Sequence, residues 1–280
     1  MEIFEGRKLV IATKHNKDKV IIPILEEHLK VKCFVPEDFD TDELGTFTGE
    51  IERKDNPLNT VRQKCFLAME KTEVELGIAS EGSFGPHPSI FIAHADEELL
   101  IFIDKKNNLE IIVRELSLDT NFNATTINCF HDLVDFVKEV GFPEHAVILK
   151  VVVNNKITAV KGIQSWELLE ESYNKLSKNN SQVVAETDMR AMYNPTRMKV
   201  IEQATFKLVE KINSLCPQCS TPGFGVINSK KGLPCEWCKL PTKSIISHIY
   251  QCQKCDFQLE KMYPNNIKHE DPMYCDFCNP

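Results

Sequence analysis

Residues 8–29 read KLVIATKHNKDKVIIPILEEHL, and they set the fold class of the N-terminal part. The run KLVIAT is short, apolar and β-branched, which is typical of a buried strand. From Asp18 to Leu29 the apolar residues recur at helical spacing, so they share one face of a helix. A buried strand followed directly by an amphipathic helix indicates an α/β fold.

The same alternation continues along the chain. A helix is predicted from Pro57 to about Thr72, and the apolar run LGIAS at residues 76–80 predicts another buried strand. Two later pairs of strands are joined by the short polar turns KKNN and NN, which predict hairpins. We therefore predict an α/β fold with a mixed sheet and flanking helices, because hairpins add antiparallel strands.

Three segments are predicted from these patterns. Residues 1–194 form the α/β domain, residues 195–212 form a connecting helix, and residues 213–280 form a Cys-rich module. The helix is opened by Asn194-Pro195 and carries a clear apolar stripe. A length of 280 residues fits this division into two domains.

Composition and charge narrow the classes of function. The net charge of -8 argues against sequence-blind nucleic-acid binding, in which Lys and Arg neutralise phosphates. The opening MEIFEGRK is charged and unlike a signal peptide. No stretch approaches the roughly 18 apolar residues of a membrane span. We expect a cytoplasmic protein with no membrane association.

Eight of the 11 cysteines fall in four Cys-x-x-Cys pairs near the C-terminus. The pairs are Cys216/Cys219, Cys235/Cys238, Cys252/Cys255 and Cys275/Cys278. Two such pairs supply the four thiolates of a closed tetrahedral zinc site, so two structural Zn²⁺ ions are predicted in a double zinc ribbon. An iron–sulfur cluster and a redox dithiol array are the alternatives. The simplest pairing is sequential, with the first four cysteines on one ion and the last four on the other; a crossed pairing is the alternative.

The turn after the first strand is a candidate phosphate site. It follows a buried strand and starts a helix, where backbone N–H groups and the helix dipole favour an anion. Thr13, Lys14, Lys17 and Lys19 are the candidate phosphate-binding residues there. A solvated basic turn is the alternative.

Three acidic residues are candidates for catalysis. Glu50 and Glu52 lie two apart, so in an extended chain they face the same side and could hold Mg²⁺. Glu81 lies in the segment SEGSFG, expected as a turn at the carboxyl end of a strand, where ligands of α/β sheets gather. An acidic surface loop and a tight structural turn are the alternatives.

Arg190 and Arg197 precede and open the long helix, and could clamp a phosphate or carboxylate through their guanidinium groups. The alternative is a capping loop with internal ion pairs.

Two resemblances add to these patterns. Strings such as IATKHNKDKV, ASEGSFGPHPS and DPMYCDFCNP make the whole chain similar to an uncharacterised family, a domain of unknown function. More distantly, the first 80 or so residues resemble the inosine/xanthosine triphosphate pyrophosphatase superfamily. Thr13, Asn16 and Lys19 approximate its T-x-N-x-x-K turn with one extra residue, and residues 59–68, with Lys64, loosely match its N-A-x-x-K-A helix.

The pyrophosphatase resemblance implies a nucleotide site. The sequence therefore predicts a Mg²⁺-dependent nucleotide or phosphoester hydrolase that acts on a nucleotide or phosphorylated small molecule. The alternative is a non-enzymatic zinc-ribbon adaptor that binds a protein or structured RNA.

Overall fold

A computed structural model describes residues 3–37, 39, 56–90, 93–153, 156–179 and 182–280. The chain forms two compact units, Met1–Leu208 and Val209–Pro280. The boundary between them lies within the helix α5 (Pro195–Asn213).

The first sheet of unit 1 is mixed, as the sequence predicts. Its strands are β1 (Lys8–Ala12), β2 (Lys32–Phe34), β3 (Leu76–Pro86), β4 (His94–Asp104) and β5 (Leu109–Ser117). Their order is β2-β1-β3-β4-β5. β2 and β3 run parallel to β1, whereas β4 and β5 add an antiparallel hairpin.

Two helices accompany this sheet, α1 (Asp18–Leu29) and α2 (Pro57–Thr72). The Asn56 side chain caps α2 by accepting a hydrogen bond from the backbone N–H of Asn59, and Pro57 suits the first helical position. The buried face of α2 packs in one apolar cluster with side chains of β1, β3 and β4. Strand alternation therefore leaves the other face of the sheet to Ile11 and Ile78, which are also buried.

β3 is longer than the sequence predicts. Residues 81–86, expected as a turn, continue the strand, because β4 pairs with β3 as far as Pro86 opposite His94. A partner strand thus satisfies the backbone of a Gly-containing segment that reads locally as a turn.

The rest of unit 1 forms a second, antiparallel sheet. Its strands are β6 (Ala124–Ile127), β7 (Val147–Val153), β8 (Lys156–Ile163) and β9 (Val183–Thr187), in the order β6-β9-β7-β8. The helices α3 (Phe130–Glu139) and α4 (Trp166–Leu176) pack against it around Leu133, Val137 and Leu169. The second predicted hairpin thus belongs to a separate sheet with its own core.

Unit 2 contains a small antiparallel sheet, β10 (Gly225–Lys231), β11 (Ile245–Gln251) and β12 (Gln258–Met262), in that order. The cysteine pairs lie in the loops around these strands. None of the helices in the described part of the chain has both the length and the apolar character required to cross a bilayer.

Candidate functional site

Three of the four Cys-x-x-Cys pairs of unit 2 close the same turn. The backbone N–H of Cys216 donates to the Thr221 carbonyl at 2.9 Å, and the N–H of Ser220 donates back to the Cys216 carbonyl at 2.9 Å. The corresponding bonds recur from Cys235 to Leu240, Lys239 to Cys235, Cys252 to Phe257 and Asp256 to Cys252. Ser220, Lys239 and Asp256, each directly after a second cysteine, have positive φ. This shared turn points both thiols of a pair to the same side.

The cysteines form two clusters by a crossed pairing. The first cysteine cluster contains Cys216, Cys219, Cys252 and Cys255, and the second contains Cys235, Cys238, Cys275 and Cys278. The sequential pairing expected from the sequence is therefore wrong.

The sheet register explains the crossing. Gly225 lies opposite Gln251, which brings the pair before β10 beside the pair after β11. Ser247 lies opposite Met262, so the chain leaves β12 at the opposite end of the sheet, where β10 also ends. One cysteine cluster therefore forms at each end of the sheet.

Both clusters fit a tetrahedral metal ion. In each, the four sulfurs all lie within 4.8 Å of one another. The Sγ–Sγ distances are 3.6 Å for Cys216–Cys255, 3.6 Å for Cys219–Cys252, 3.8 Å for Cys235–Cys278 and 3.6 Å for Cys238–Cys275. A Zn–S bond of roughly 2.3 Å sets a tetrahedral edge of about 3.8 Å. Each group of four cysteines could therefore hold one metal ion without rearrangement.

A second group of functional side chains lies in unit 1, just beyond the point where the parallel pairing of β1 with β3 ends at Ala12 and Ala79. We call it the charge cluster. It consists of Lys17, Lys64, Glu81, Asp96, Glu98 and Arg197, and all six residues are buried. They come from the start of α1, from α2, β3 and β4, and from the first turn of α5. The carboxyl end of parallel strands is where α/β folds bind ligands.

Glu98 is the centre of the charge cluster. Its Oε1 accepts a hydrogen bond from Arg197 Nε at 2.7 Å, and its Oε2 lies 3.4 Å from Lys17 Nζ. Lys17 Nζ also donates to Ser80 Oγ at 3.1 Å. Burial opposes ionisation of Glu98, but Arg197 and Lys17 outweigh it and hold its pKa below the usual value. Burial lowers the pKa of Lys17 to about 8.

Asp96 lies two residues before Glu98 and therefore on the same face of β4. Its side chain is 1% exposed, and neither carboxylate oxygen has a hydrogen-bond donor within the described part of the chain. Burial, reinforced by the charge of Glu98, raises the pKa of Asp96 to about 7. Burying a carboxylate without a hydrogen-bond donor costs free energy. We therefore expect Asp96 either to be protonated or to bind a cation.

Gly82 is required by the approach of Arg197. It pairs with Glu98 across β3 and β4. A Cβ at this position would lie 2.3 Å from Arg197 Nη2 and 2.6 Å from Glu98 Oε1. The guanidinium also stacks over the Phe84 ring, 4.9 Å from its centroid. A larger side chain here would push the ends of the Arg197 and Glu98 side chains out of this arrangement.

Glu81 faces the opposite side of the sheet, because it alternates with Ser80 and Gly82. Its Oε2 accepts from Lys64 Nζ at 2.5 Å, and both side chains are buried. The cluster therefore reaches both faces of the sheet, with one ion pair beneath α2 and the Glu98 network on the other face.

The other residues predicted to bind phosphate or to act in catalysis differ in their burial and contacts. Thr13 is buried directly after β1, Lys14 is half-buried, and Lys19 is exposed. Arg190 binds the buried Asp188 through its guanidinium, with Nη2 at 2.5 Å from Oδ2. Glu50 and Glu52 lie outside the described residues.

Two residues of the charge cluster are not predicted by the sequence patterns. Asp96 and Glu98 belong to the acidic run DEE, which reads as a solvated stretch. The signal that could have found Glu98 is strand alternation, since it shares a face with Leu100 and Phe102, which are fully buried.

Comparison with known proteins gives a family without an assigned activity. A search of curated proteins finds none that matches the chain. A family model matches residues 64–280, which include Lys64, Glu81, Asp96, Glu98, Arg197 and all eight paired cysteines. The pyrophosphatase resemblance of the first 80 or so residues stays a prediction. The matched model is that of a domain of unknown function, DUF6671, and the chain belongs to this family, as its sequence predicts.

Proposed function

We propose that unit 1 is a Mg²⁺-dependent hydrolase of nucleotides or other phosphoesters, with the charge cluster as its site. The observation that carries the proposal is the convergence of three cations and three carboxyl groups where the parallel pairing of β1 with β3 ends. A purely structural ion-pair network would satisfy its members, whereas Asp96 has no donor among the described residues.

Asp96 is the carboxylate best suited to a divalent cation, because both oxygens of Glu98 on the same face of β4 already face Arg197 and Lys17. Mg²⁺ binds through one or two protein carboxylates plus phosphate oxygens and water. When bound, Mg²⁺ would neutralise phosphate charge and lower the pKa of a coordinated water. A cation would also compensate the buried charge of Asp96, which otherwise raises the pKa of that group. Glu50 and Glu52 stay predicted additional ligands.

The cationic residues would bind the phosphate. Lys17 is the residue immediately before α1, and Arg197 lies in the first turn of α5. Both side chains are buried beside Glu98, so a phosphate reaching them would be held with little water between. Thr13 and Lys14 would contribute from the end of β1, and Lys19, which is exposed, would attract the anion at longer range. Arg190 would support the loop before α5 through Asp188.

Glu81 would support the site from the other face of the sheet. Its carboxylate is buried and paired with Lys64, which fixes its position beneath α2. The pair also places a cation next to the carboxylate, which makes Glu81 a poor ligand for a second cation. We therefore assign Glu81 to positioning β3 beside β4 rather than to binding the metal or the attacking water.

The ions of unit 2 are proposed to be Zn²⁺ with a structural role. Four thiolates complete a tetrahedral shell and leave no open position for substrate. Metal analysis of the purified chain tests the identity: about two zinc ions are expected, whereas iron with labile sulfide or reversible disulfides would replace this assignment.

The hydrolase proposal is tested on the full zinc-loaded chain with Mg²⁺. A panel of standard and deaminated nucleoside triphosphates is followed for pyrophosphate and phosphate release. Turnover that falls at least about a hundredfold in Asp96→Asn, with a smaller loss in Glu81→Gln, supports the assignment. The matched control is Glu110→Gln. It removes an ion pair between β5 and Arg62, a residue of α2 that lies outside the cluster. Absence of release from folded protein overturns the proposal for triphosphates.

The adaptor function would use unit 2, so it does not compete with the hydrolase for the same residues. Structured RNA is the less suitable partner. Seven Lys and six acidic residues follow position 212, and two Zn(Cys)₄ centres would each add about -2, giving roughly -3.

A further inference from the structure

The two cysteine clusters of unit 2 share a backbone turn but differ in the residues between their cysteines. The first cluster has Pro-Gln and Gln-Lys in these positions. The second has Glu-Trp and Asp-Phe, so each of its pairs places an acidic residue first and an aromatic residue second. The equivalent second positions are Gln218, Trp237, Lys254 and Phe277.

Aromatic side chains face opposite ways at the two clusters. Beside the first, Phe224 is buried with Cys216 and Cys252, and its ring lies 5.7 Å from Tyr250 and 6.0 Å from Phe257. Around the second lies a group that we call the aromatic surface. Its members and exposed fractions are Trp237 (75%), Tyr274 (67%), Phe277 (66%) and Met273 (63%). Aromatic rings of the kind that usually form a hydrophobic core are exposed to solvent on this surface.

Two shallow grooves lie at this surface, and Met273 lines both. The first, of about 440 Å³, is lined by Trp237, Pro272 and Met273 together with Glu236 and Asp271. The second, of about 550 Å³, lies between Met273 and Tyr274 and includes Glu270, Asp276 and Lys243. Exposed aromatic and methionine side chains that line grooves are typical of protein interfaces.

The acidic residues around the grooves favour a positively charged partner. The first groove has acidic residues and no basic residue among its described lining residues. In the second, Lys243 is already paired with Asp276 at 2.9 Å. A metal-loaded second cluster would add further negative charge through its thiolates. Nucleic-acid bases stack on such rings, but acidic surroundings repel their phosphates, whereas Lys and Arg gain from both the rings and the carboxylates.

We infer that the aromatic surface of the second cysteine cluster binds a protein segment in which Lys or Arg residues are flanked by apolar residues. The cationic groups lie over the exposed rings and against Glu236 and Asp271, and the apolar neighbours occupy the grooves beside Met273. The first cluster, with polar tips and inward-facing rings, holds the module together without taking part.

The test is a selection from a display library of random twelve-residue peptides on the full zinc-loaded chain. Binders that also bind a Trp237→Ala/Phe277→Ala variant are removed. The remaining peptides should be enriched in Lys and Arg next to apolar residues. Their Kd should rise at least tenfold in the double variant and stay unchanged in Gln218→Ala/Lys254→Ala, the equivalent change at the first cluster.

Three results overturn the inference. The first is a selected pool that is not enriched in basic residues. The second is equal loss of binding in the first-cluster variant. The third is another occupant of the surface: tighter Trp237-dependent binding of single-stranded RNA than of any selected peptide, or self-association in sedimentation that Trp237→Ala abolishes. Hydrolytic activity of unit 1 is measured in the same variants and should be unchanged, so failure here is separable from failure of the hydrolase proposal.

Discussion

In most proteins charged side chains are exposed and large apolar side chains are buried, and each unit breaks one half of this rule. Unit 1 buries six charged side chains in one cluster around β3 and β4, whereas unit 2 leaves Trp237, Tyr274, Phe277 and Met273 largely in solvent. Buried charge and exposed clustered apolar surface are the two departures that carry functional information, since each has a free-energy cost that packing alone does not require. This difference is the basis on which we propose chemistry for unit 1 and recognition for unit 2.

Removing the metal should have the largest effect, and only in unit 2. Structural Zn²⁺ contributes about 10–16 kcal/mol in small zinc modules, and the described core of this sheet is small, with Phe224 as its main buried ring. Treating the chain with a chelator should abolish hydrogen-exchange protection in β10–β12 and leave protection in β3 and β4. Restoring Zn²⁺ should bring the lost protection back. Protection of β10–β12 that survives complete metal removal would show that the cysteines are not needed for the fold.

Glu98→Gln should have the next largest effect, and in unit 1. The change leaves the fully buried Arg197 without its anionic partner, and breaking a buried ion pair from one side costs about 3–5 kcal/mol. Its neighbour Glu97 pairs with Arg114 on the exposed side of β4, so Glu97→Gln should cost only about 0–1 kcal/mol. Hydrogen exchange of β3 and β4 measures both variants. Equal effects would mean that the buried network does not stabilise the sheet.

Asp96→Asn should change the pH dependence of stability. Without a cation, Asp96 has a pKa of about 7 in the folded chain against 3.8 as its ordinary value. Between these values the folded state keeps a proton that the unfolded chain has released, so the stability that this group contributes is lost as pH rises through about 7. Relative to Asp96→Asn, the wild type should lose on the order of 1–3 kcal/mol between pH 5 and pH 8.

Urea unfolding at the two pH values measures the Asp96 effect. Asp119→Asn, at an exposed position of the same unit, is the control and should follow the wild type. Adding Mg²⁺ at pH 8 should recover the stability of the wild type and leave that of Asp96→Asn unchanged. Parallel pH curves for wild type and Asp96→Asn would contradict the description of Asp96 as a buried carboxylate that needs a proton or a cation.

The sequence predicts what depends on local pattern. The helix bounds Asp18–Leu29 and Pro57–Thr72 follow from spacing and caps, and the eight cysteines that could hold metal follow from their Cys-x-x-Cys spacing. Lys17 was a candidate because it starts a helix after a buried strand. In each case the informative residues lie within a few positions of one another.

What the sequence could not supply depends on long-range register. The crossed pairing of cysteines is set by which ends of β10, β11 and β12 lie together, and the spacing of the cysteines does not encode that choice. Glu98 becomes a buried ion only because β4 follows β3 to Pro86 and because Arg197 arrives from 99 residues along the chain. The acidic run around Glu98 therefore looks solvated until its partners are placed.

Trp237→Ala should have the smallest effect on stability. It tests whether the exposed ring has a structural role in unit 2. Its side chain is 75% exposed, so its removal should change the free energy of unfolding of unit 2 by no more than about 0.5 kcal/mol. Phe224→Ala removes a ring buried beside the first cysteine cluster and should cost about 3–5 kcal/mol. Hydrogen exchange of β10–β12 in the zinc-loaded chain compares the two. If Trp237→Ala destabilised the module as much as Phe224→Ala, its ring would be part of the core in solution, and the exposed surface would lose its meaning as a site of recognition. If the stability is unchanged, the solvent-exposed tryptophan has no structural role to explain it, and binding remains the physical reason for placing such a ring beside the metal.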